Sequence, residues 1–404
     1  MNKTSKALFF ILFGAMIVFG YIENIKAVSY PLIKTEFDIS YEQQGVMVSI
    51  LSFGSVLFCL AGGILLGSLG VKKTLNAGLI IMLAGLAGAF FMPGLVPVAG
   101  ALFLTSAAFG IFEVSLNALA AQVFTFRAAL LMSILHFFYG AGSSLSPRIA
   151  GALATILNWR MTYLLSVPLV LIVLIPSFFT HFPRQESEGE DAITGGTVKK
   201  TSFFTALKTP MVWVFSAALG LMIGVELSSA NWAGLYFQDV YNLDPKKSGA
   251  AFISNFYILF TISRLLCGFV IEKIGYLRSL FIAASAVVIV FVLGFSLEEK
   301  GIYVLPALGF FVAVFWPTSM ATAMGYFRKD APVMISAIIV IVGTMNSGIQ
   351  LLIGLVNRLA GPAWGYRSCL FYALLIIAAL LFLARCMRNP YKPAGCTQKA
   401  GAAK

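Results

Sequence analysis

The sequence predicts an all-α polytopic membrane protein with twelve transmembrane helices in two six-helix bundles. Three observations support this prediction. Of the 404 residues, 59% are hydrophobic and only 11% are charged, whereas about a quarter of the residues in a soluble domain are charged. Apolar runs of more than about 18 residues recur along the chain, and each can cross a hydrocarbon core of roughly 30 Å. One polar stretch divides these runs into two groups of six.

The apolar runs are numbered spans 1 to 12 in chain order, and most are joined by short links. The exception is the polar, charged stretch 183–210, which we predict to be a cytoplasmic linker. It separates an N-terminal bundle, 1–182, from a C-terminal bundle, 211–404, which ends in a short cytoplasmic tail. The predicted spans are 7–34, 42–69, 74–95, 97–124, 130–157, 161–182, 211–238, 247–272, 278–297, 302–327, 332–357 and 367–386.

Loop charges predict the orientation. With the N-terminus in the cytoplasm, 18 Lys and Arg residues fall on the cytoplasmic side and seven fall outside, which is the bias that cytoplasmic loops show. We therefore expect both termini in the cytoplasm and a cell membrane location, most simply a bacterial inner membrane. The net charge of +12 is attributed to these loops, and no nucleic-acid partner is expected.

The two halves resemble each other. Gly63 and Gly268, like Gly70 and Gly275, are 205 residues apart, at the ends of spans 2 and 8. A repeat of half the chain length predicts two related bundles with a binding site between them near the middle of the membrane.

The loop motif after spans 2 and 8 resembles the Gly-x-Leu-x-Asp-Arg-x-Gly motif of the major facilitator superfamily. The first copy has Gly67 and Ser68 where Asp and Arg are expected. The resemblance implies alternating access and a gating role for the second copy, which consists of Gly268, Glu272, Lys273, Gly275 and Arg278.

A narrower resemblance comes from span 4, where Glu113 and Asn117 form the Glu-x-x-x-Asn pattern of the fucose permease-like branch. That branch also carries an acid in span 1, where Glu23 lies, and Gly-x-Glu followed by an aromatic residue in span 7, as in "GVELSSANW". "FWPTSMA" in span 10 resembles its Phe-Pro-Thr step. The resemblance implies sugar–proton symport, although Lys26 is not expected in this branch.

Glu23, Glu113 and Glu226 lie 16 or 17 residues into spans 1, 4 and 7. An ionised group at the bilayer centre costs about 2.5–3.5 kcal/mol, so such groups face a bundle interior or a water-filled cavity. The depth of these acids, the helical spacing and the resemblance together predict a substrate site. Its expected residues are Glu23, Lys26, Tyr30, Asn117, Glu226, Asn231, Trp232, Trp316, Asn346 and Gln350. Ser229 shares the face of Glu226, and Phe315 is a further candidate ring.

Proton coupling requires a carboxyl group that alternates between its neutral and ionised forms. A nearby cation favours the ionised form, so Glu23 is expected to stay ionised beside Lys26. Glu113, which has no cation close in sequence, is the better candidate for the proton carrier. A purely structural role, as an ion pair or as helix–helix contacts, is the alternative for Glu23, Glu113 and Glu226.

For the other polar residues within the spans, the sequence distinguishes less clearly between a role in the site and a structural role. Arg148 in span 5 is expected either to bind an anion or to pair with Glu113. Arg264 is expected to be structural, and His136 to be a packing residue. Asn357 continues a polar stripe on span 11, and Pro317 is expected to kink span 10.

The sequence favours no enzymatic activity, because no phosphate-binding loop, zinc-ligand cluster or Ser-His-Asp set is present. No cofactor or metal is expected, and a monomer is the family default. The predicted function is secondary transport of a small polar solute, a sugar in symport with protons. The alternatives are a proton-coupled exporter of drugs or amphipathic compounds, an organic-anion transporter that uses Lys26, Arg148 and Arg264, and a receptor without transport activity.

Overall fold

The computed structural model describes residues 3–124, 128–183 and 203–388, which form helices joined by short turns. The predicted all-α membrane fold is confirmed. The helices of the first half are Lys3–Glu36, Tyr41–Phe91, Leu95–Val123, Ala128–Ile156, Trp159–Leu164 and Val167–Phe179. Those of the second half are Phe203–Leu207, Pro210–Tyr241, Ala250–Ile274, Tyr276–Ser296, Leu308–Val312, Phe315–Phe327, Ala331–Ala360 and Pro362–Cys386. Single 3-10 or π turns occupy Pro245–Gly249, Glu298–Tyr303, Leu305–Ala307 and Arg328–Asp330.

Each predicted span coincides with one helix or with consecutive helical pieces. In the part of the chain that the structure describes, ten helical segments are long and apolar enough to cross a bilayer. One of them, Tyr41–Phe91, is 51 residues long and contains spans 2 and 3. Ala128–Ile156 is span 5, and the helices within Trp159–Phe179 together form span 6. The chain is therefore a multi-pass membrane protein. Most of the predicted linker lies outside the described residues.

Two glycines make equivalent turns in the two halves. Gly70 interrupts the helix Tyr41–Phe91 with φ 76°, and Gly275 separates spans 8 and 9 with φ 95°. Glycine adopts positive φ without the steric cost that a Cβ would bring. The spacing of 205 residues between them thus corresponds to a repeated structural feature.

Each half packs around an apolar core of its own. In the first bundle span 1 lies against span 5, and span 4 against spans 2 and 3; in the second, span 7 lies against spans 11 and 12, and span 8 against span 10. Between the bundles, span 2 contacts span 11, span 5 contacts span 8, and span 1 contacts span 7. The spans that carry the candidate site therefore meet along the interface between the bundles.

The two bundles touch at one end of the molecule. We call the end that holds Lys3 and Cys386 the terminal end, and the opposite one the far end. At the far end a Cβ on Gly45 of span 2 would lie 2.9 Å from the Cα of Gly354 on span 11. Only glycine allows the two backbones to approach this closely, in the manner of small-residue contacts between membrane helices.

Polar contacts join the bundles beside this glycine pair. The hydroxyl of Tyr41 donates to Asp239 Oδ2 at 2.7 Å, and the guanidinium of Arg358 donates to Glu42 and forms an ion pair with it. We call these four residues the far-end latch. They connect span 2 to spans 7 and 11, so the latch closes the far end across two helix pairs.

Span 10 is not a continuous helix. Its helical pieces are interrupted between Val312 and Phe315. Pro317 explains the interruption, because proline lacks an N–H and its ring crowds the carbonyl group four residues earlier, that of Ala313. The predicted kink in span 10 is present beside Trp316.

Candidate functional site

A cavity between the two bundles contains most of the predicted site residues. It consists of two adjoining lobes, which we call the first lobe, of about 440 Å³, and the second lobe, of about 410 Å³. Both lobes share a wall that contains Glu23, Ser55, Phe109, Glu113, Ile223, Leu227 and Trp316. These residues come from spans 1, 2, 4, 7 and 10, so both bundles form the cavity.

The cavity widens towards the terminal end. Gly63 of span 2 and Ser336 of span 11 both line the first lobe, whereas Gly45 and Gly354 of the same two spans are in contact at the far end. A Cβ on Gly63 would meet no atom within 4 Å. Spans 2 and 11 therefore diverge from the far end towards the terminal end.

The first lobe contains the span 1 face that the sequence predicted. Lys26 donates a hydrogen bond to Glu23 and forms an ion pair with it, while both side chains keep some exposure, 19% and 17%. Tyr30, at i+7 from Glu23, lines the same lobe, and Asn231 and Asn346 line it from spans 7 and 11. The i, i+3, i+7 spacing on span 1 places all three side chains on one side of that helix.

The second lobe brings together the three acids that lie within membrane spans. Glu23, Glu113 and Glu226 all line it, and so does Asn117. The side chains of Glu113 and Asn117 are exposed, and their i, i+4 spacing directs both from span 4 towards the cavity. Three carboxyl groups that are far apart in sequence therefore share one compartment.

The charges of the cavity wall are unequal. Glu23 has Lys26 as its partner, and Arg264 of span 8 lines the second lobe together with Glu226. Arg264 Nε is buried and has no hydrogen-bond partner among the described residues, while its guanidinium lies 4.4 Å from the ring centroid of Phe260. Glu113 forms no ion pair with a described residue. Glu226 forms none either, so Lys26 is the counter-ion of Glu23, while Glu113 and Glu226 share the second lobe with Arg264.

A network of amide groups lies behind the first lobe. Gln350 Oε1 accepts hydrogen bonds from Trp232 Nε1 at 2.8 Å and from Asn231 Nδ2 at 3.2 Å. Gln350 Nε2 donates to Asn346 Oδ1 at 3.0 Å and to Ser228 Oγ at 3.2 Å. The amide of Gln350 therefore uses all four of its hydrogen-bonding positions within the protein.

The structure does not place every predicted residue in the cavity wall. Trp232 and Gln350 are 1% and 0% exposed because they bond to each other behind the wall. Phe315 is fully buried in the core of the second bundle. Ser229 turns away and bonds to Val225 O and to the hydroxyl of Tyr366. Of Trp232, Phe315 and Trp316, the three rings predicted to stack on the substrate, Trp316 alone lines the cavity lobes.

The structure also decides the roles of two further polar residues. Arg148 neither pairs with Glu113 nor lines either lobe, because its guanidinium donates to Asn255 Oδ1 of span 8 at 2.9 Å. Asn357 accepts a hydrogen bond from the backbone N–H of Gly365 at 2.9 Å, so it ties span 11 to span 12. The polar stripe of span 11 thus contributes Asn346 to the cavity.

Two residues of the second lobe were not expected to be site residues. Arg264 and His136, predicted as structural and packing residues, both line it, as does Tyr139. For Arg264 a signal was available in the sequence, because an ionisable residue within a membrane helix is by default a functional candidate. The same signal was available for His136, since histidine is also an ionisable residue that is rare within membrane helices.

The predicted gating residues lie apart from the cavity. Gly268, Glu272, Lys273, Gly275 and Arg278 are exposed, at the end of span 8 and in the following turn. A Cβ on Gly268 or Gly275 would meet no atom within 4 Å. The motif thus lies at the terminal end, where the bundles diverge, and its gating role stays a prediction.

Three curated proteins are similar in sequence. Bypass of stop codon protein 6 of Saccharomyces cerevisiae is 26% identical over 35% of this chain and 32% of its own length. The multidrug efflux pump LfrA of Mycolicibacterium smegmatis is 26% identical over 80% of this chain and 63% of its own. The cis,cis-muconate transport protein of Acinetobacter baylyi is 22% identical over 78% of both chains. The matches thus span less than two thirds of the first two relatives.

Two solved structures share the fold. FucP, a major facilitator superfamily transporter in the outward conformation, is 16% identical with a TM-score of 0.64, over 95% of this chain and 99% of its own. A bacterial homolog of the human lysosomal transporter Spinster, inward-facing and unoccupied, is 14% identical with a TM-score of 0.73, over 98% of this chain and 100% of its own. The family model of the Major Facilitator Superfamily matches residues 11–349. With two six-span bundles, a cavity between them and a family match over most of its length, the chain belongs to the major facilitator superfamily of transporters.

Proposed function

We propose that this chain is a secondary active transporter that moves a sugar together with protons by alternating access. The observation that carries the proposal is the second lobe, in which acids from spans 1, 4 and 7 meet between the two bundles. A site at the interface of two bundles can be exposed to either side when the bundles rock against each other.

Glu113 is the proposed proton carrier. Glu23 is held by Lys26, whereas neither Glu226 nor Glu113 forms an ion pair with a described residue. Of these two acids, Glu113 has the more exposed side chain. Its side chain is exposed to the cavity, so protons have access to it. A carboxyl group without a counter-ion can be neutralised by a proton at lower cost than one held in an ion pair.

The composition of the first lobe suits an uncharged polar solute. Lys26 and Glu23 neutralise each other, and Glu113 in the same lobe is uncharged when it carries the proposed proton. The hydroxyl of Tyr30 and the amides of Asn231 and Asn346 remain as donors and acceptors. Trp316 supplies a ring to the same wall. Sugars are bound by such mixed hydrogen-bonding groups together with an aromatic surface.

A second candidate function is the export of amphipathic cations in exchange for protons. The uncompensated carboxyl of Glu113 and the apolar side chains of Phe109, Ile223 and Leu227 in the shared wall favour it. The efflux pump LfrA is a relative over most of this chain. Organic anions, which the muconate transport protein suggests, are less favoured because Lys26 is already paired and Arg148 lies outside the lobes. Arg264 of the second lobe is the cation that would bind them.

A thermal-shift screen of the purified protein against sugars, organic acids and cationic dyes separates these functions. We expect stabilisation by a sugar that weakens in Glu113→Gln. Stabilisation by organic acids that disappears in Lys26→Ala would instead identify an organic-anion transporter, and stabilisation by dyes alone would identify an exporter.

Transport by reconstituted protein tests the coupling. Glu113→Gln is expected to lower proton-driven sugar uptake at least about tenfold, which corresponds to about 1.4 kcal/mol, while sugar counterflow continues. The matched control is Glu299→Gln, because Glu299 is exposed in the turn before span 10. Normal proton-driven uptake by Glu113→Gln would exclude Glu113 as the proton carrier.

The orientation completes the proposal. With both termini in the cytoplasm, as the loop charges indicate, the terminal end is the cytoplasmic one. The cavity, which widens towards that end, then faces inward in this structure, and the far-end latch closes the outer side.

A further inference from the structure

The hydrogen bonds of Gln350 determine which atoms the first lobe offers to a ligand. An indole N–H can only donate a hydrogen bond, so the atom of Gln350 that faces Trp232 at 2.8 Å must be its oxygen. The other atom of the amide is therefore the nitrogen, which must donate. Trp232 thus fixes the orientation of the Gln350 amide.

The orientation of the Gln350 amide in turn determines the orientation of two asparagine amides. Because Gln350 Nε2 donates to Asn346, the accepting atom of Asn346 is its oxygen, and its Nδ2 makes no hydrogen bond with a described residue. Because Gln350 Oε1 must accept a hydrogen bond from Asn231, the side-chain nitrogen of Asn231 faces Gln350. Its Oδ1 is left buried without a partner among the described residues.

Both asparagines line the first lobe. The residues of the lobe wall therefore include one amide donor, Asn346 Nδ2, that makes no hydrogen bond with a described residue, and one amide acceptor, Asn231 Oδ1, that is buried without a partner among the described residues. A buried acceptor without a partner is costly and rare in native proteins, which indicates that a ligand satisfies it when bound.

We propose that Gln350, held by Trp232, is a positioning residue that makes the first lobe select a group that both donates and accepts hydrogen bonds. A hydroxyl or a carboxamide satisfies Asn346 and Asn231 together. A carboxylate accepts only, so it leaves the oxygen of Asn231 unpaired. This inference rests on the proposed function in that it describes the substrate pocket of the same transporter.

Matched probes test the inference by the ratio of their affinities. D-glucuronamide and D-glucuronate differ only in a carboxamide and a carboxylate, and nicotinamide and nicotinate provide the same comparison without a sugar. In the wild-type protein we expect the carboxamide of at least one pair to bind about tenfold or more tightly than the carboxylate, the effect of one unsatisfied buried acceptor. Calorimetry or thermal shift measures both constants.

Trp232→Phe removes the N–H that fixes Gln350. We expect the carboxamide-to-carboxylate ratio to fall to about threefold or less, because the Gln350 amide is then free to turn over. Trp213→Phe is the matched control, since Trp213 lies on the same span and donates to the backbone oxygen of Leu207. A merely structural role for Trp232 would weaken both probes equally and leave the ratio unchanged, which would overturn the inference.

Asn346→Asp is a second, nearly isosteric variant in case Trp232→Phe does not fold. One Asp oxygen can still accept from Gln350, and the other replaces the free donor with an acceptor. Loss of the carboxamide preference is expected, and its retention would overturn the inference. If the nicotinamide pair shows the preference and no sugar binds, the inference holds and the sugar assignment fails. If no probe binds the wild-type protein, the inference is overturned as well.

Discussion

At the scale of single residues, Lys26 is the position that most affects the substrate class. Its ammonium group bonds to Glu23, and both side chains are more than four-fifths buried. The pair is neutral as a unit, so the cavity has no free cation at this position. Breaking the pair would leave one charge partly desolvated, which costs more than removing both charges.

A double-mutant cycle measures this coupling. We expect Glu23→Gln and Lys26→Met each to lower the unfolding temperature in detergent, and the double variant to recover part of the loss. The expected coupling free energy is about 1 kcal/mol, within the range for residues in contact. Additive effects of the two substitutions would show that the pair does not stabilise the protein. Lys26 would then be free to bind the substrate.

At the scale of elements, span 2 and span 11 act as a pair that is in contact at the far end and separated at the terminal end. Gly45 and Gly354 allow the contact, because a Cβ on Gly354 would lie 2.7 Å from the Cα of Gly45 and from the carbonyl oxygen of Tyr41. A real Cβ cannot approach backbone atoms so closely, and backbone atoms cannot move aside as a flexible side chain would.

Gly354→Ala is therefore expected to prevent full closure of the far end. We predict a loss of transport of about tenfold or more, while the ligand found in the thermal-shift screen still binds. Gly348→Ala on the same span is the control, because a Cβ there would meet no atom within 4 Å. Equal transport by the two variants would show that the glycine contact is not needed for closure.

At the scale of the whole molecule, the far-end latch and the glycine contact hold the two bundles together at the far end. The latch joins Tyr41 to Asp239 and Glu42 to Arg358. Surface ion pairs contribute roughly 0–1 kcal/mol each, and Arg358 and Glu42 are 56% and 41% exposed. The latch therefore shifts the equilibrium towards the conformation with a closed far end, but its free energy is too small to hold the far end closed permanently.

Loosening the latch is expected to favour closure of the terminal end. Positions 68 and 272 are exposed helical positions of opposite bundles at the terminal end. In the double variant Tyr41→Phe, Arg358→Ala, spin labels at these positions should show a larger population at short distance than in the wild-type background. Pulsed electron paramagnetic resonance measures this distribution. An unchanged distribution would mean that the latch does not contribute to the conformational equilibrium.

The orientation of the whole molecule is a separate prediction. The distribution of Lys and Arg, 18 to seven, places both termini in the cytoplasm. A green fluorescent protein fused after residue 404 should therefore fluoresce in a bacterial host, because it folds in the cytoplasm. A fusion that is dark there, but active as a periplasmic alkaline phosphatase fusion, would invert the assignment of the open side.

The sequence by itself determined that this protein lies in a lipid bilayer and that it has twelve spans. It also determined the repeat marked by Gly70 and Gly275 and the three acids in spans 1, 4 and 7. These features depend on hydropathy and on local spacing along one helix, and both can be read from the chain. The kink at Pro317 belongs to the same class, because it follows from the covalent structure of proline.

Only the tertiary structure decided which side chains share the cavity. Helical spacing places residues on a face of one helix but does not say which neighbour covers that face. For this reason Trp232 and Gln350 lie behind the wall of the predicted site, and Arg264 and His136 line it. The closed far end could not be predicted from the sequence either. The approach of Gly45 to Gly354 depends on the packing of two spans that are about 300 residues apart along the chain.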